Sequence, residues 1–175
     1  TLAILEKRKG QDIAIEAAKS LWDEGIRFHY DFVGRTNPYF GKDFERLLKQ
    51  TAKRGYSVSV HGQLADAQLQ KVFDGADLVV LPSLAEGCGL PLLESLWRGV
   101  PTLSSSLHSI RENARFGGCQ LFKRGDCEDL AMSLRNLIER PSELADLKGS
   151  IRSEELPRWK STAVDIVEHL VTDGA

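Results

Sequence analysis

No stretch of this sequence approaches the roughly 18 to 20 uninterrupted apolar residues that a membrane-spanning helix needs, so no segment is a candidate span. Charge of one sign is also missing. With 23 Lys and Arg against 25 Asp and Glu, a formal net charge of -2, there is no global field to gather nucleic acid or an acidic membrane, and an anionic ligand must be met locally. Cysteine is scarce: Cys88, Cys119 and Cys127 are odd in number and form no C-x-x-C pair. They supply neither a disulfide framework nor a zinc ligand set, and without a signal-peptide pattern the expected setting is reducing and cytoplasmic. His29, His61, His108 and His169 show no metal-ligand spacing, and there is no Asp-x-Asp pair, internal repeat, low-complexity stretch or long linker.

What remains is a globular composition, 42% hydrophobic and 27% charged over 175 residues, enough for one domain around one core. The sequence opens at Thr1, not Met, and runs at once into an apolar stretch; the expectation is a piece of a longer polypeptide. Short apolar runs alternate with segments of helical period, the pattern of a doubly wound parallel α/β sheet, Rossmann-like in three layers. About six strands are expected: Leu2 to Leu5, Phe28 to Val33, Val58 to His61, Asp77 to Leu81, Thr102 to Ser104 and Gln120 to Phe122. Phe44, Leu47, Leu48, Thr51 and Ala52 fall on one helical face, as do Leu130, Leu134, Leu137 and Ile138, and again Ala163, Ile166, Val167 and Leu170. Each set predicts a core stripe. Pro141 and Pro157 stand where helices restart.

The chemistry concentrates between Leu78 and Glu94. An apolar strand runs into a loop holding Gly87, Cys88 and Gly89, and Pro91 then sits where a helix begins, because its fixed φ and missing N–H suit a first turn. Amides from Gly87 to Leu90 can approach a ligand unobstructed, and the helix start behind them favours phosphate. Glu94, one turn into that helix, can accept two hydrogen bonds from a vicinal diol, while Glu86 enters from the strand side. Two carboxylates around an anion cradle suit a phosphorylated, polyhydroxylated ligand.

Glu86 and Glu94, seven residues apart, resemble the E-x7-E signature of retaining GT-B glycosyltransferases, especially family 4. The likeness extends over nearly the whole chain. Ala76 to Ser83 is similar to the family's preceding strand, Gly99-Val100-Pro101 to its G-x-P, and Ser109-Ile110-Arg111-Glu112-Asn113 to its S-x-P-E-x, with Arg111 where proline is usual. Phe122 to Leu130 and Trp159 also match. Glu6 to Asp12 resembles the first-strand loop whose lysine, here Lys9, binds the nucleotide diphosphate. Ile4 stands where an arginine is frequent, leaving Arg8 as the candidate second cation. Cys88 replaces a usual aromatic.

The resemblance implies the donor-binding C-terminal half of a GT-B enzyme, its N-terminal acceptor-binding domain lying outside this chain. It assigns Lys9 and Glu86 to catalysis, Lys9 at the diphosphate and Glu86 at the hydroxyls of the transferred sugar. Glu94 falls at the ribose, and Gly87, Cys88, Gly89, Leu90 and Arg8 around the nucleotide sugar, with His61, Gln63, Gly34 and Arg35 toward the base. The implied partners are a nucleotide sugar and a saccharide or lipid-linked acceptor, the parent lying in the cytoplasm or peripherally at the inner face of the membrane; no cofactor or metal is implied. The Glu-x-Arg-Lys-Gly opening is similar to that of bacterial polysaccharide mannosyltransferases, which points to GDP-mannose. Alternatives are a GT-B epimerase or phosphorylase, a non-catalytic nucleotide-sugar-binding domain within a polysaccharide-synthesis protein, and a flavodoxin-like domain, which the 86–94 pattern opposes.

Overall fold

The computed structural model describes residues 1–39, 41–158, 162–164 and 167. Within residues 11–149, five parallel strands alternate with helices and α7 follows α6 directly: α1 Gln11–Asp23, β1 Tyr30–Val33, α2 Gly41–Lys53, β2 Val58–His61, α3 Asp66–Asp74, β3 Val79–Leu81, α4 Leu90–Trp97, β4 Thr102–Ser105, α5 His108–Ala114, β5 Cys119–Phe122, α6 Cys127–Glu139 and α7 Pro141–Gly149. The doubly wound α/β expectation holds. β1 pairs with β2, and β3, β4 and β5 form a second ladder.

Residues 1–5 join the two ladders, although they form no continuous strand. Ala3 N and Leu5 N donate to the carbonyls of Val33 and Arg35, giving only two isolated bridges, Leu2 with Val33 and Leu5 with Thr36. Toward β3 the contact is a side chain, the Thr1 hydroxyl on the Val80 carbonyl at 2.8 Å. Hydrogen bonding therefore runs β2–β1–(1–5)–β3–β4–β5. The expected first strand is a joint and not a ladder member, because neither neighbour meets it with consecutive main-chain pairs. The β1 ladder starts at Tyr30, two residues later than expected; at Phe28 the carbonyl instead accepts the Trp22 indole N–H at 3.1 Å.

Strand alternation sends side chains to two apolar layers. Phe32, Val80, Leu103 and Phe122 meet Ala14, Ile15, Ala18 and Leu21 of α1 and Leu130, Leu134 and Leu137 of α6. Val79 and Leu81 point the other way, against Phe73 of α3, Leu92 and Leu96 of α4 and Ile110 of α5. The α6 stripe is as expected, and its start is fixed by Asp126, whose carboxylate accepts the Asp129 N–H at 3.1 Å. That amide, followed by Lys123, holds the Asp126 carboxyl below the usual carboxylate range. In α2 the stripe is narrower than expected: Leu48 and Thr51 are buried and Ala52 is exposed. Near the end of the chain, Ala163 and Val167 are exposed where a core stripe was expected; Ile166, Leu170 and Trp159 lie outside the described residues. α7 begins at Pro141 as the proline predicts.

Candidate functional site

At the carboxyl edge of the sheet the order changes direction between residues 1–5 and β3, the point at which doubly wound sheets take their ligands. Two loops leave the sheet there. One, 6–10, includes a short 3-10 turn, Lys7–Lys9, and enters α1 through Gly10, whose φ is 64°. The other, 82–89, leads from β3 to α4. They are joined through the main chain by Leu84 N–H on the Arg8 carbonyl at 2.8 Å.

Across this junction Lys9 Nζ donates to Glu86 Oε1 at 2.6 Å, with side-chain exposures of 9% and 10%. Ser83 Oγ donates to the same oxygen at 2.8 Å. Two residues 77 positions apart thus form a nearly dehydrated ion pair, whose charges are expensive to bury unless paired and hydrogen-bonded. Gly87 and Cys88 are exposed and Gly89 is buried, with φ 66° as the N-cap of α4. Apart from its chain neighbours, no atom of the described residues lies within 4 Å of where a Gly87 Cβ would sit, so that side of the main chain faces open space. The helix begins at Leu90, one residue before Pro91, and Leu90 is itself 62% exposed.

Of the remaining predicted residues, Arg35 and Gln63 are exposed, while Glu94, Arg8, His61 and Gly34 meet protein partners. Glu94 lies 3.1 Å from Arg98 Nη1, and Arg98 stacks over the Phe73 ring at 4.6 Å. A diol at Glu94 must compete with that guanidinium. Arg8 Nε lies 2.6 Å from Glu6 Oε1, while Glu6 Oε2 accepts from Asn37; the exposed Arg8 is thereby drawn toward Glu6. His61 Nε2 is 2.6 Å from Asp31 Oδ1, and the Gly34 N–H lies on the carbonyls of His61 and Gly62. An apolar cavity of about 450 Å³ lies at the opposite, amino edge, lined by residues such as Phe28, Leu69, Leu78 and Leu144. It contains none of the predicted site residues.

Two residues without a predicted role prove structural to the loop. Ser109 Oγ donates to the Glu86 carbonyl at 3.2 Å and Asn113 Nδ2 to the Cys88 carbonyl at 2.7 Å. Spaced i, i+4 on α5, they share a face and anchor alternate carbonyls of the 86–88 stretch. The sequence marks them by that helical spacing and by the likeness of 109–113 to the family's S-x-P-E-x, neither of which identifies a target. Replacing both with alanine is expected to speed amide hydrogen exchange at 87–89 by about tenfold or more, since each lost bond contributes about 1 kcal/mol. Exchange followed by NMR checks this; rates equal to the parent's would show that α5 does not hold the loop.

Relatives share the sequence and the fold. The chain is 29% identical over 180 residues to the serotype-specific mannosyltransferase WbdA of Escherichia coli, covering 99% of this chain and 21% of WbdA. It is 31% identical over 125 residues to the MMP alpha-(1->4)-mannosyltransferase of Mycolicibacterium hassiacum, covering 68% of this chain and 30% of that protein. Among solved structures, HepE of Anabaena in complex with UDP superimposes with a TM-score of 0.82 at 21% identity, over 98% of this chain and 47% of HepE. Sucrose-phosphate synthase of Thermosynechococcus elongatus does so with a TM-score of 0.80 at 19% identity, over 99% and 45%. The chain therefore spans about a fifth to a third of those curated relatives and under half of those structures. The model of the family described as glycosyl transferases group 1 matches residues 1–153, and the chain belongs to that family, with the α/β fold of one half of a GT-B glycosyltransferase.

Proposed function

We propose that this chain is the donor-binding domain of a retaining family 4 glycosyltransferase that takes a nucleoside diphosphate hexose and passes the sugar to a saccharide or lipid-linked acceptor. The buried Lys9–Glu86 pair, closed across two loops at the sheet's switch point, carries this reading. As the sugar–phosphate bond breaks, negative charge grows on the departing diphosphate, and an ammonium already in place beside main-chain amides stabilises it without reorganising. Lys9 supplies the ammonium, and the 87–90 amides with the start of α4 supply the dipoles. Glu86 then turns from Lys9 to the hydroxyls of the transferred sugar, and Glu94 exchanges Arg98 for the ribose diol.

The acceptor hydroxyl attacks the anomeric carbon from the face the diphosphate leaves, its proton passing to a departing phosphate oxygen, so the configuration is retained. No metal is required where lysine and amides neutralise the diphosphate. The acceptor and the facing wall of the cleft belong to a second domain of the parent protein, which lies in the cytoplasm or peripherally at the inner face of the membrane. The hexose is mannose from GDP-mannose, on the strength of the opening loop and of relatives named as mannosyltransferases.

Titration calorimetry with UDP, GDP, ADP and dTDP tests the assignment. GDP is expected to bind this chain, with the other three weaker. Failure of all four at millimolar concentration would remove the donor role, and preference for UDP would remove mannose from GDP-mannose. Thiol labelling gives an independent readout. Cys88 is exposed in the loop, whereas burial pushes the Cys119 thiol up to about 12 and raises that of Cys127; thiolate is the reactive form. Cys88 should label first, and saturating nucleotide should slow it several-fold. Labelling that ignores bound nucleotide would place the ligand elsewhere.

A further inference from the structure

Lys9 and Ser83 make their hydrogen bonds to the same oxygen of Glu86. Lys9 Nζ reaches Oε1 at 2.6 Å and Ser83 Oγ reaches it at 2.8 Å. Among the described residues no hydrogen bond reaches Oε2, and that oxygen is not one of the enclosed polar atoms left without a partner. It is open to solvent. The carboxylate is therefore two-sided, with one oxygen bound to the protein and the other free to accept from a ligand.

The two donors are not equivalent. A lysine carries a point charge with rotating donors on a flexible four-carbon stem, and Lys9 rises from the short turn Lys7–Lys9. Its ammonium also has the departing diphosphate to meet. In Ser83 a single side-chain torsion places the oxygen; the residue is buried and follows β3 with only Pro82 between them. The end of that strand is itself fixed, because Ser104 Oγ and Ser105 Oγ of β4 donate to the Leu81 carbonyl at 3.3 and 3.4 Å. The main chain of Glu86 is held from another side, where its carbonyl accepts from Ser109. Glu86 is thus anchored at its backbone by α5 and at Oε1 by a short side chain on the sheet, and packed, rigid supports of this kind fix the direction of a functional group.

We propose that Ser83 is a positioning residue for donor-sugar recognition: its hydroxyl keeps Oε1 in place when Lys9 moves to the diphosphate, so that Oε2 meets the hydroxyls of the transferred sugar. The inference rests on the donor-binding reading above and adds to it a residue that touches neither sugar nor phosphate. Without Ser83, a Glu86 whose ammonium has turned to phosphate keeps no side-chain donor on Oε1 among those seen in the structure. Its carboxylate is then free to rotate. The consequence is selective, because nucleotide affinity depends on Lys9 and the 87–90 amides, whereas the contribution of the sugar depends on where Oε2 points.

Titration calorimetry of this chain with GDP, GDP-mannose, UDP and UDP-glucose tests it, read as the ratio of each nucleotide sugar's affinity to that of its nucleotide. Ser83→Ala is expected to lower this ratio about tenfold, the loss of one hydrogen bond to a charged group, while nucleotide affinity changes far less. Ser95→Ala is the matched control. Its hydroxyl is equally buried and donates to the Val100 carbonyl at 2.8 Å, so the variant loses a buried hydrogen bond that does not reach Glu86. It should lose stability in denaturant and keep the parent's ratio. Each variant removes one oxygen and adds no bulk, and denaturant unfolding of the same preparations shows what each loses in stability. If the parent binds nucleotide and Ser83→Ala leaves the ratio unchanged, or Ser95→Ala lowers it equally, the positioning role is overturned and the donor reading stands. A parent that binds neither GDP nor UDP overturns the donor reading and this inference with it.

Discussion

Lys9→Ala is expected to lower the unfolding free energy by about 3 kcal/mol, the lower end of the cost of stranding one member of a buried ion pair, and to weaken nucleoside diphosphate binding at least tenfold. Glu86 is the reason for the stability loss: its carboxylate is 10% exposed, and without Lys9 it keeps only the Ser83 hydroxyl among the partners seen in the structure. A fall in both stability and binding does not by itself establish function. The informative comparison is the replacement of the whole cluster, Lys9→Met with Glu86→Leu and Ser83→Ala. Exchanging a buried pair for apolar groups of similar volume is often neutral or stabilising, and Ser83→Ala avoids leaving a buried hydroxyl without its acceptor. This triple variant should unfold within about 1 kcal/mol of the parent and bind no nucleotide. Denaturant unfolding and calorimetry on the same preparations give both numbers. Were the triple variant to retain nucleotide affinity, the pair would be only a structural bridge between two loops.

How much of this was legible beforehand depends on the range of the interaction. The loop from Pro82 to Pro91 could be read from local chemistry, since a strand, two glycines and a proline in order dictate a turn into a helix. The α6 stripe and its Asp126 cap could be read for the same reason. The family likeness assigned Lys9 and Glu86 to one ligand but did not foresee the ion pair between them, because nothing local to Lys7-Arg8-Lys9 distinguishes a solvated charge run from a buried ammonium. The anchoring of 86–88 by Ser109 and Asn113 was out of reach, since side-chain bonds to main-chain carbonyls depend on where α5 lands. Residues 1–5 misled in another way. Their apolar pattern is that of a buried strand, and Leu5 is indeed buried, but burial does not require a ladder. Ala163 and Val167 show the reverse error, a helical period whose described members face solvent.

The junction that makes the site also sets its most sensitive position, Gly10. Its φ of 64° belongs to the left-handed region, and a Cβ built there would lie 2.0 Å from the Pro82 carbonyl oxygen and 2.9 Å from its carbon. Both are main-chain atoms of the facing loop, so no rotamer change can relieve the clash. Only separation of 6–10 from 82–86 would do so, and that separation also parts Leu84 N–H from the Arg8 carbonyl and Lys9 from Glu86. Gly10→Ala is therefore expected to cost about 2–4 kcal/mol, the sum of left-handed strain and overpacking, together with loss of nucleotide binding. Gly99→Ala is the matched control: φ there is 68°, and nothing lies within 4 Å of the added carbon. It carries the strain without the clash and should cost about 1 kcal/mol with binding unchanged. The difference between the two variants isolates the contact between the loops. If Gly10→Ala proved no worse than Gly99→Ala in unfolding and in calorimetry, the two loops would not be pressed together in solution, and Lys9 would not be held against Glu86 by the fold.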